Sequence, residues 1–403
     1  MKRVPLIVKL LIAIALGFFL GIAIRQMADQ GMLWAMIPGR ILVTFNGIFG
    51  NFLGFVVPLL IVAFVSVGIA ELGRGAGKML GFAVLLAYTS TVLAGLFAYG
   101  VGSTVIPRLL DNGFMSLEIT RQEGGLALER LFSIDMPALF PITSALIAAF
   151  ILGIGVSTLG ERGALYEVLN SFQKIVEKII GSIIIPLLPF HIAGIFMSMA
   201  FDGEALQVLG VMALIFVLII AMHWIMLIVH YTLAGTMRGK NPFVMLKTML
   251  PAYFAAIGTQ SSVATMPVTR QCTIKNGADE NIVNFTVPLF TTIHMPGSII
   301  TITTSALAVS LLMGHSIETA TMISFIFSAS IMMVAAPGVP GGSIMAASGV
   351  LQSILGFDAT LLSLMIAIYL AQDSFGTAAN VTGDGALTFF VEKFAKKEGI
   401  TGQ

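Results

Sequence analysis

Long, mostly apolar stretches separated by short polar connectors run along the first part of the chain. A helix needs about twenty apolar residues to cross roughly 30 Å of hydrocarbon, and the stretches reach that length. The first is longer than the apolar region of a signal peptide and no cleavage site follows it, so we expect it to stay in the membrane. Proline predicts kinks in the fifth. The predicted helices cover residues 4–24, 41–70, 79–106, 137–160, 166–200 (with Pro186 and Pro189) and 205–236.

Farther along, the apolar pattern is broken into shorter pieces. Residues 242–277 and 317–357 each contain two apolar arms, joined by a Ser/Thr-rich tip in the first and a Pro/Gly-rich tip in the second. At 1.5 Å per residue neither arm crosses the bilayer, which predicts two re-entrant helical hairpins. A long apolar segment follows each hairpin, at 281–313 and 358–395. This repetition predicts an inverted repeat with a site at the membrane midplane.

The elements together predict an all-α polytopic membrane protein with eight transmembrane helices and two re-entrant hairpins. Composition agrees, because 57% of the residues are hydrophobic, 10% are charged and the mean hydropathy is +0.98. A soluble enzyme, a nucleic-acid-binding protein and a disordered protein would each need far more polar residues. An outer-membrane barrel would need alternating segments of about ten residues. The single cysteine, Cys272, excludes a disulfide within the chain.

Basic residues indicate the orientation. With the N-terminus inside and both hairpins re-entrant, most of the 21 Lys and Arg residues fall on the inside, as the positive-inside rule requires. We therefore expect a multi-pass protein of the plasma (bacterial inner) membrane with both termini cytoplasmic. Residues 107–136 are then an extracytoplasmic loop, and 396–403 are a cytoplasmic tail.

Two acidic residues lie inside a predicted segment, away from its ends. Asp373 and Asp384 share one helical face with Thr377 and Asn380. A carboxylate in mid-membrane costs about 2.5–3.5 kcal/mol on insertion scales, and no Lys or Arg lies at matching depth. Either helix-end amides satisfy these carboxylates, or a substrate cation or metal ion does. Lying roughly 16 Å apart, they are too distant to react as a catalytic pair, and we expect no enzyme.

Three motifs carry a resemblance to a known family. They are Ser261-Ser262-x-x-Thr265-x-Pro267-Val268-Thr269, Val339-Pro340-Gly341-Gly342-Ser343 and Asp373-x-x-x-Thr377-x-x-Asn380-Val381-x-Gly383-Asp384. In this order the chain resembles the dicarboxylate/amino acid:cation symporter family (the glutamate transporter family), nearer to its neutral serine/threonine-type members. The resemblance covers most of the chain and is strongest after residue 240.

The resemblance implies an elevator-type transporter that assembles as a homotrimer in membrane lipid. Residues 1–78 and 137–200 would form the scaffold and trimerisation domain. Residues 79–106 and 205–395, including both hairpins, would form the moving transport domain.

The resemblance also implies how an amino acid would bind between the hairpin tips. Asp373 would take its ammonium group, and Asn380 its carboxylate, helped by Ser261, Ser262 and the 338–343 backbone. The remaining predicted substrate-site residues are Thr377, Ser298, Gly338, Val339 and Gly376.

One departure from the family concerns selectivity. Members that select acidic substrates carry an Arg three residues after the first Asp of the last motif, where this chain has Gly376. A buried side-chain carboxylate would lack a cation there. We therefore expect neutral amino acids as substrates, and the resemblance implies that their import is coupled to sodium. The alternative is a proton-coupled or mixed-coupling symporter, including one for cystine or a dicarboxylate.

A second departure concerns the co-transported Na+. The family motif Asn-Met-Asp-Gly-Thr reads His294-Met295-Pro296-Gly297-Ser298 here, so one sodium position is altered. His294 is interpreted as a hydrogen-bonding residue or as a titrating group that replaces a sodium ion with a proton.

The remaining ion positions implied by the resemblance involve three sets of residues. They are Phe290, His294 and Asn380 with Asp384; Thr292 and Met295 with Met333, Val334 and Ala336; and Thr89 with Ser90. The other histidines, His191, His223, His230 and His315, are expected to serve packing, interfaces or loops.

Overall fold

A computed structural model of the full chain describes residues 6–72, 78–111, 128–158, 163–203, 205–312, 314–333 and 341–398. Within these ranges the chain is helical and contains no strand. The helices are α1 (Leu6–Asp29), α2 (Met36–Leu72), α3 (Lys78–Asp111), α4 (Ile142–Thr158), α5 (Ala164–Ile179), α6 (Ile185–Phe201), α7 (Ala205–Arg238), α8 (Pro242–Thr259), α9 (Ser262–Lys275), α10 (Glu280–Ile293), α11 (Pro296–Leu312), α12 (Thr319–Met333), α13 (Gly342–Ser353) and α14 (Ala359–Lys397).

Six described helical segments are long and apolar enough to cross a membrane. The all-α membrane fold expected from the sequence is thereby confirmed, while the number of spans stays a prediction. The predicted fifth helix is α5 and α6, joined by one π-helical turn, Ile180–Ile184. Pro186 lies in the first turn of α6 and Pro189 lies inside it.

Two groups of helices pack mainly among themselves. In one group, α1 packs on α6, and α2 packs on α4, α5 and α6; in the other, α3 packs on α11 and α12, while α7, α8, α9, α10 and α11 pack around α14. Gly17 and Gly21 on α1 lie directly on the carbonyls of Ala193 and Met197 on α6. This small-xxx-small spacing lets the two backbones approach closely, as it does in other membrane helix pairs.

The predicted hairpins correspond to two pairs of short helices. In the first, Asn241 caps α8, Gln260 ends it in the left-handed conformation with φ 53°, and Ser261 caps α9. In the second, α12 packs on α13, and the tip at 334–340 lies outside the described residues. That these pairs are re-entrant stays a prediction.

The predicted segment 281–313 is two helices. The chain leaves α10 after Ile293, runs through His294 and Met295, and starts α11 at Pro296. His294 has extended dihedrals, φ −106° and ψ 102°. Pro296 suits the start of a helix, because its missing N–H would have no partner there. By contrast, the predicted segment 358–395 is one uninterrupted helix, α14.

At the C-terminal end of α14, buried Glu392 joins three elements. It accepts hydrogen bonds from Arg238 Nη1 on α7 (2.9 Å), from Lys396 Nζ (2.6 Å) and from the backbone N–H of Asp279 before α10 (3.4 Å). Arg238 also donates to the carbonyl of Gly277 (2.7 Å). Since Glu392 is 2% exposed, these donors compensate a carboxylate that water does not reach.

Candidate functional site

The break between α10 and α11 faces the middle of α14. Asn380 Oδ1 accepts from the backbone N–H of Gly297 (2.7 Å) and of Ser298 (3.4 Å), and its Nδ2 donates to Ser298 Oγ (3.0 Å). Breaking the helix frees these amides, and Asn380 satisfies them. A side chain at Gly297 would collide with the Gly376 carbonyl and with Ala379, so only glycine allows this approach.

Two further elements support the break from outside α14. On α3, Thr91 Oγ1 accepts from the backbone N–H of Met295 (3.2 Å). On α7, the Nε2 atom of His223 lies 2.9 Å from the Gly297 carbonyl and donates to it. The break frees backbone polar groups from helical hydrogen bonding in a buried place. Side chains on α3 and α7 pair with these groups.

Asp373 is the centre of one polar cluster. Its Oδ2 accepts from the backbone N–H of Gly341 (2.7 Å), the residue that precedes α13, and Tyr369 and Thr377 are its other hydrogen-bonding neighbours. Gly341 has φ 79°, a conformation that favours glycine. The carboxylate predicted to bind a substrate ammonium is thus bonded to the second pair of short helices.

Ser298 connects the Asp373 cluster to Asn380. Its hydroxyl lies 3.1 Å from Tyr369 Oη, 3.3 Å from Ser343 Oγ and 3.0 Å from Asn380 Nδ2. These neighbours belong to α13 and α14, while Ser298 belongs to α11. One hydroxyl therefore joins three helices at the point where the motif residues meet.

Asp384 is the centre of a second polar cluster. It is fully buried, its Oδ1 lies 2.8 Å from His294 Nδ1, and its Oδ2 has no hydrogen-bond partner among the described residues. Beyond the imidazole, His294 Nε2 lies 2.9 Å from Ser90 Oγ, which lies 3.1 Å from His230 Nε2.

One placement of protons gives every donor an acceptor in the hydrogen-bond chain from Asp384 through His294 and Ser90 to His230. With both histidines neutral, His230 Nε2–H donates to Ser90, the Ser90 hydroxyl donates to His294 Nε2, and His294 Nδ1–H donates to Asp384. This arrangement stabilises one oxygen of the Asp384 carboxylate. The second oxygen has no such partner among the described residues, so a cation or a proton there would compensate its buried charge.

Neither Asp373 nor Asp384 has a Lys or Arg partner among the described residues. In the part of the chain that the structure describes, none of the Lys and Arg ion pairs involves Asp373 or Asp384. Gly376, between them, has the backbone of Gly297 opposite it at 3.6 Å from where its Cβ would lie. The site therefore combines two buried carboxylates with a backbone break and neutral hydrogen-bonding side chains.

The structure describes fifteen of the predicted site residues and brings nine of them to the two clusters. The ones placed there are Asp373, Thr377, Asn380, Ser298, Gly376, Asp384, His294, Met295 and Ser90. Phe290 lies one turn before the break, and its carbonyl accepts from the His294 N–H at 2.9 Å. Ser261, Ser262 and Met333 lie at the ends of the short helices facing the tips.

Two predicted ion-site residues are exposed and lie outside both clusters. Thr89 is exposed in a cleft between α3 and α7, and Thr292 is exposed, with its hydroxyl donating to the Leu289 carbonyl (2.8 Å). Their neighbours Thr91 and Thr291 are buried instead, because one residue along a helix is a turn of about 100°. Val334, Ala336, Gly338 and Val339 lie outside the described residues.

Sequence reasoning missed Tyr369, Thr91 and the site role of His230. Tyr369 lies four residues before Asp373 and so shares its face, which the sequence could have indicated. His223 and His230 are seven residues apart on α7 and also share a face, but only the packing shows that it meets α11 and α14. Packing alone is therefore too narrow a role for these two histidines.

Fold and site define a multi-pass helical membrane protein with a polar site built on a broken helix. The chain belongs to the sodium:dicarboxylate symporter family, whose model matches residues 6–394.

Similar proteins have been named in bacteria and mammals. The serine/threonine transporter SstT of Streptococcus thermophilus (strain CNRZ 1066) is 26% identical over 97% of this chain and 96% of its own length. SstT of Acinetobacter baylyi is 26% identical over 98% of both chains. The excitatory amino acid transporter 3 of Mus musculus is 30% identical over 64% of this chain and 49% of its own. The family and these relatives are transporters rather than enzymes, as the sequence predicts.

Proposed function

We propose that this protein is a sodium-coupled symporter that imports neutral amino acids by an elevator-type mechanism. Its location would be the bacterial inner membrane, with both termini cytoplasmic. Membership of the symporter family and the names of the relatives support transport of amino acids with sodium. The observation that carries the proposal is the pair of buried carboxylates on α14, neither of which has a Lys or Arg partner among the described residues.

Asp373 would bind the substrate ammonium. A buried ammonium requires a carboxylate, and Asp373 lies next to Asn380 and Ser298, which suit the substrate carboxylate. In the structure the Gly341 amide donates to the same Asp373 oxygen. An incoming ammonium would compete with that amide, so substrate binding would be coupled to the position of α13.

The side-chain end of the site would accept a neutral group. The three atoms nearest the missing Cβ of Gly376 are backbone atoms of Gly297 and Ser298, and none belongs to a Lys or Arg. An acidic side chain would therefore remain buried and unpaired, which is costly. Serine, threonine and alanine match these surroundings.

Sodium would bind next to Asp384. The free Oδ2 supplies a hard oxygen ligand, and the break beyond Phe290 supplies backbone oxygens of the kind that sodium uses in other transporters. His294 bonds to one oxygen of the Asp384 carboxylate, and Pro296 offers no side-chain ligand. This region would therefore hold fewer sodium ions than the same region in family members that carry Asp at the position of Pro296.

The two groups of helices would move relative to each other. Helices α1, α2 and α4–α6 would form a scaffold that assembles as a homotrimer in lipid, and α3 with α7–α14 would form the transport domain. The contacts of α13 with α2 and α4 would then lie at the sliding surface.

Uptake of radiolabelled serine into proteoliposomes tests the proposal. We expect uptake to require an inward sodium gradient and Asp373→Asn to reduce serine binding at least a hundredfold. Asp29→Asn, which breaks only the surface pair with Arg25 (3.1 Å), is the matched control and should transport normally. Equal uptake with and without sodium would overturn sodium coupling; uptake that follows a proton gradient instead would establish the proton-coupled alternative.

A further inference from the structure

A groove on the surface of the helical bundle lies between α3 and α7, with α14 as its floor. Its deeper part is a cleft of about 350 Å³. Leu86, Leu93 and Phe97 on α3 form one wall, and Ile225, Val229 and Leu233 on α7 form the other. These side chains are apolar and several are well exposed, so in a membrane the cleft opens to hydrocarbon.

A second cleft, of about 510 Å³, continues the groove toward the C-terminal end of α14. Leu233 and Phe390 line both clefts, which makes them one groove. Phe82 on α3 and Phe394 on α14 stack at 4.3 Å between ring centroids and form its base. Unlike the first cleft, this one is also lined by Lys393 and Lys397.

Among the described residues, no carboxylate pairs with these two lysines. They lie one helical turn apart on α14, both are exposed, and neither forms an ion pair within the described ranges. Nearby lysines differ, because Lys396 pairs with Glu392 (2.6 Å) and Lys78 pairs with Glu398 (3.0 Å). The groove therefore ends in a local excess of positive charge.

The length of the groove along α14 matches the thickness of half a bilayer. Lys393 and Lys397 lie roughly 14 and 20 Å along α14 from Asp384, at 1.5 Å per residue. Half of the hydrocarbon layer is about 15 Å thick. If Asp384 lies at mid-membrane, the lysines lie at headgroup level and the apolar cleft lies at the level of acyl chains.

We propose that this groove binds one anionic phospholipid, with its headgroup phosphate at Lys393 and Lys397 and an acyl chain in the apolar cleft. Basic pockets between membrane helices recognise anionic headgroups, and here charge, apolar lining and depth agree. The cleft reaches Ser90 and His230, at the outer end of the Asp384 cluster, but is lined by neither Asp373 nor Asp384. The proposal does not depend on the proposed transport activity. The bound lipid would sit wholly on α3, α7 and α14.

Native mass spectrometry of the delipidated, full-length protein in detergent tests this site. The protein is titrated with phosphatidylglycerol and, separately, with phosphatidylcholine of the same chains. We expect one high-affinity phosphatidylglycerol and weaker binding of phosphatidylcholine. Lys393→Gln with Lys397→Gln should weaken phosphatidylglycerol binding about 30-fold, the factor that two lysines contribute near an anionic headgroup.

Two further variants separate the site from general charge and from headgroup binding alone. Lys174→Gln with Lys178→Gln removes an exposed lysine pair of the same spacing on α5 and should leave binding unchanged. Val229→Trp, at a position 49% exposed, fills the apolar cleft and should weaken both lipids.

Three results would overturn the proposal. One is unchanged phosphatidylglycerol affinity in both the Lys393/Lys397 variant and the Val229→Trp variant. Another is equal affinity of the unmodified protein for the two lipids. The third is full displacement of phosphatidylglycerol by millimolar inorganic phosphate, which would identify a phosphate site without an acyl chain.

Discussion

Single residues at the Gly297–Gly376 contact determine how closely α11 approaches α14. Gly297 has no room for a side chain, whereas a Cβ at Gly376 would meet its nearest neighbour at an ordinary 3.6 Å. Position 376 can therefore accept a side chain, and it is the position where the sequence departs from acidic-substrate transporters.

Gly376→Arg should admit acidic substrates. A guanidinium there would pair with a substrate side-chain carboxylate that is otherwise unpaired. In competition assays with proteoliposomes, we expect aspartate to inhibit serine uptake by the Gly376→Arg variant at least tenfold more strongly than serine uptake by the unmodified protein. Gly376→Met, similar in length but uncharged, is the control; if it behaves like the Arg variant, the charge has no role.

Gly383→Ala should weaken sodium binding. The added methyl group would lie 3.1 Å from His294 Cε1 and 3.4 Å from His230 Nδ1, so the imidazole bonded to Asp384 must shift. We expect a several-fold rise in the sodium concentration that gives half-maximal uptake, with serine affinity unchanged at saturating sodium. Gly54→Ala, where nothing lies within 4 Å, should leave both values unchanged.

At the scale of elements, apolar run length predicts the long helices and the pairs of short ones. The ends are less predictable: residues 137–141 were expected to be helical, but α4 begins at Ile142. The preceding segment instead runs along α2, where Leu131 N–H donates to Thr44 Oγ1 (2.8 Å) and Asn51 Nδ2 donates to the Ile134 carbonyl (2.7 Å). The pattern of apolar residues along the sequence does not predict these tertiary hydrogen bonds.

The candidate site divides in the same way. Asp373, Thr377, Asn380 and Asp384 could be grouped from their spacing, because they occupy one face of a single helix. The His294–Ser90–His230 hydrogen-bond chain joins the break between α10 and α11 to α3 and α7, which are distant in sequence. Such contacts depend on how helices pack, which spacing within one helix does not determine.

Gly17→Leu or Gly21→Leu should destabilise the pairing of α1 with α6. Each glycine lies on a carbonyl of α6, so a side chain would force the helices apart. Overpacking of this kind costs about 1–3 kcal/mol of unfolding free energy. We expect a lower midpoint of thermal unfolding, followed by the intrinsic fluorescence of the protein in detergent. Gly81→Leu, with nothing within 4 Å, should keep the original midpoint.

For the whole molecule, the two helix groups lead to a test of movement. The chain has one native cysteine, Cys272, so a Cys272→Ala background allows pairs of spin labels. Labels at exposed Ile151 on α4 and Phe327 on α12 join the two groups. We expect two distance populations by pulsed electron paramagnetic resonance, with proportions that change when sodium and serine are added.

A control pair lies within one group. Labels at Ile151 on α4 and Phe190 on α6 should give one distance that ligands do not change. Labelled protein is diluted with unlabelled protein, so that only distances within a chain are recorded. A single, ligand-independent distance for the first pair would contradict movement of one group against the other.

The bonds around Glu392 have a mechanical consequence. They join three elements, namely α7, α14 and the turn that precedes α10, around a carboxylate that water does not reach. A load on any one of these three elements is therefore shared by the other two. By contrast, α13 meets the Asp373 carboxylate through one backbone amide, that of Gly341.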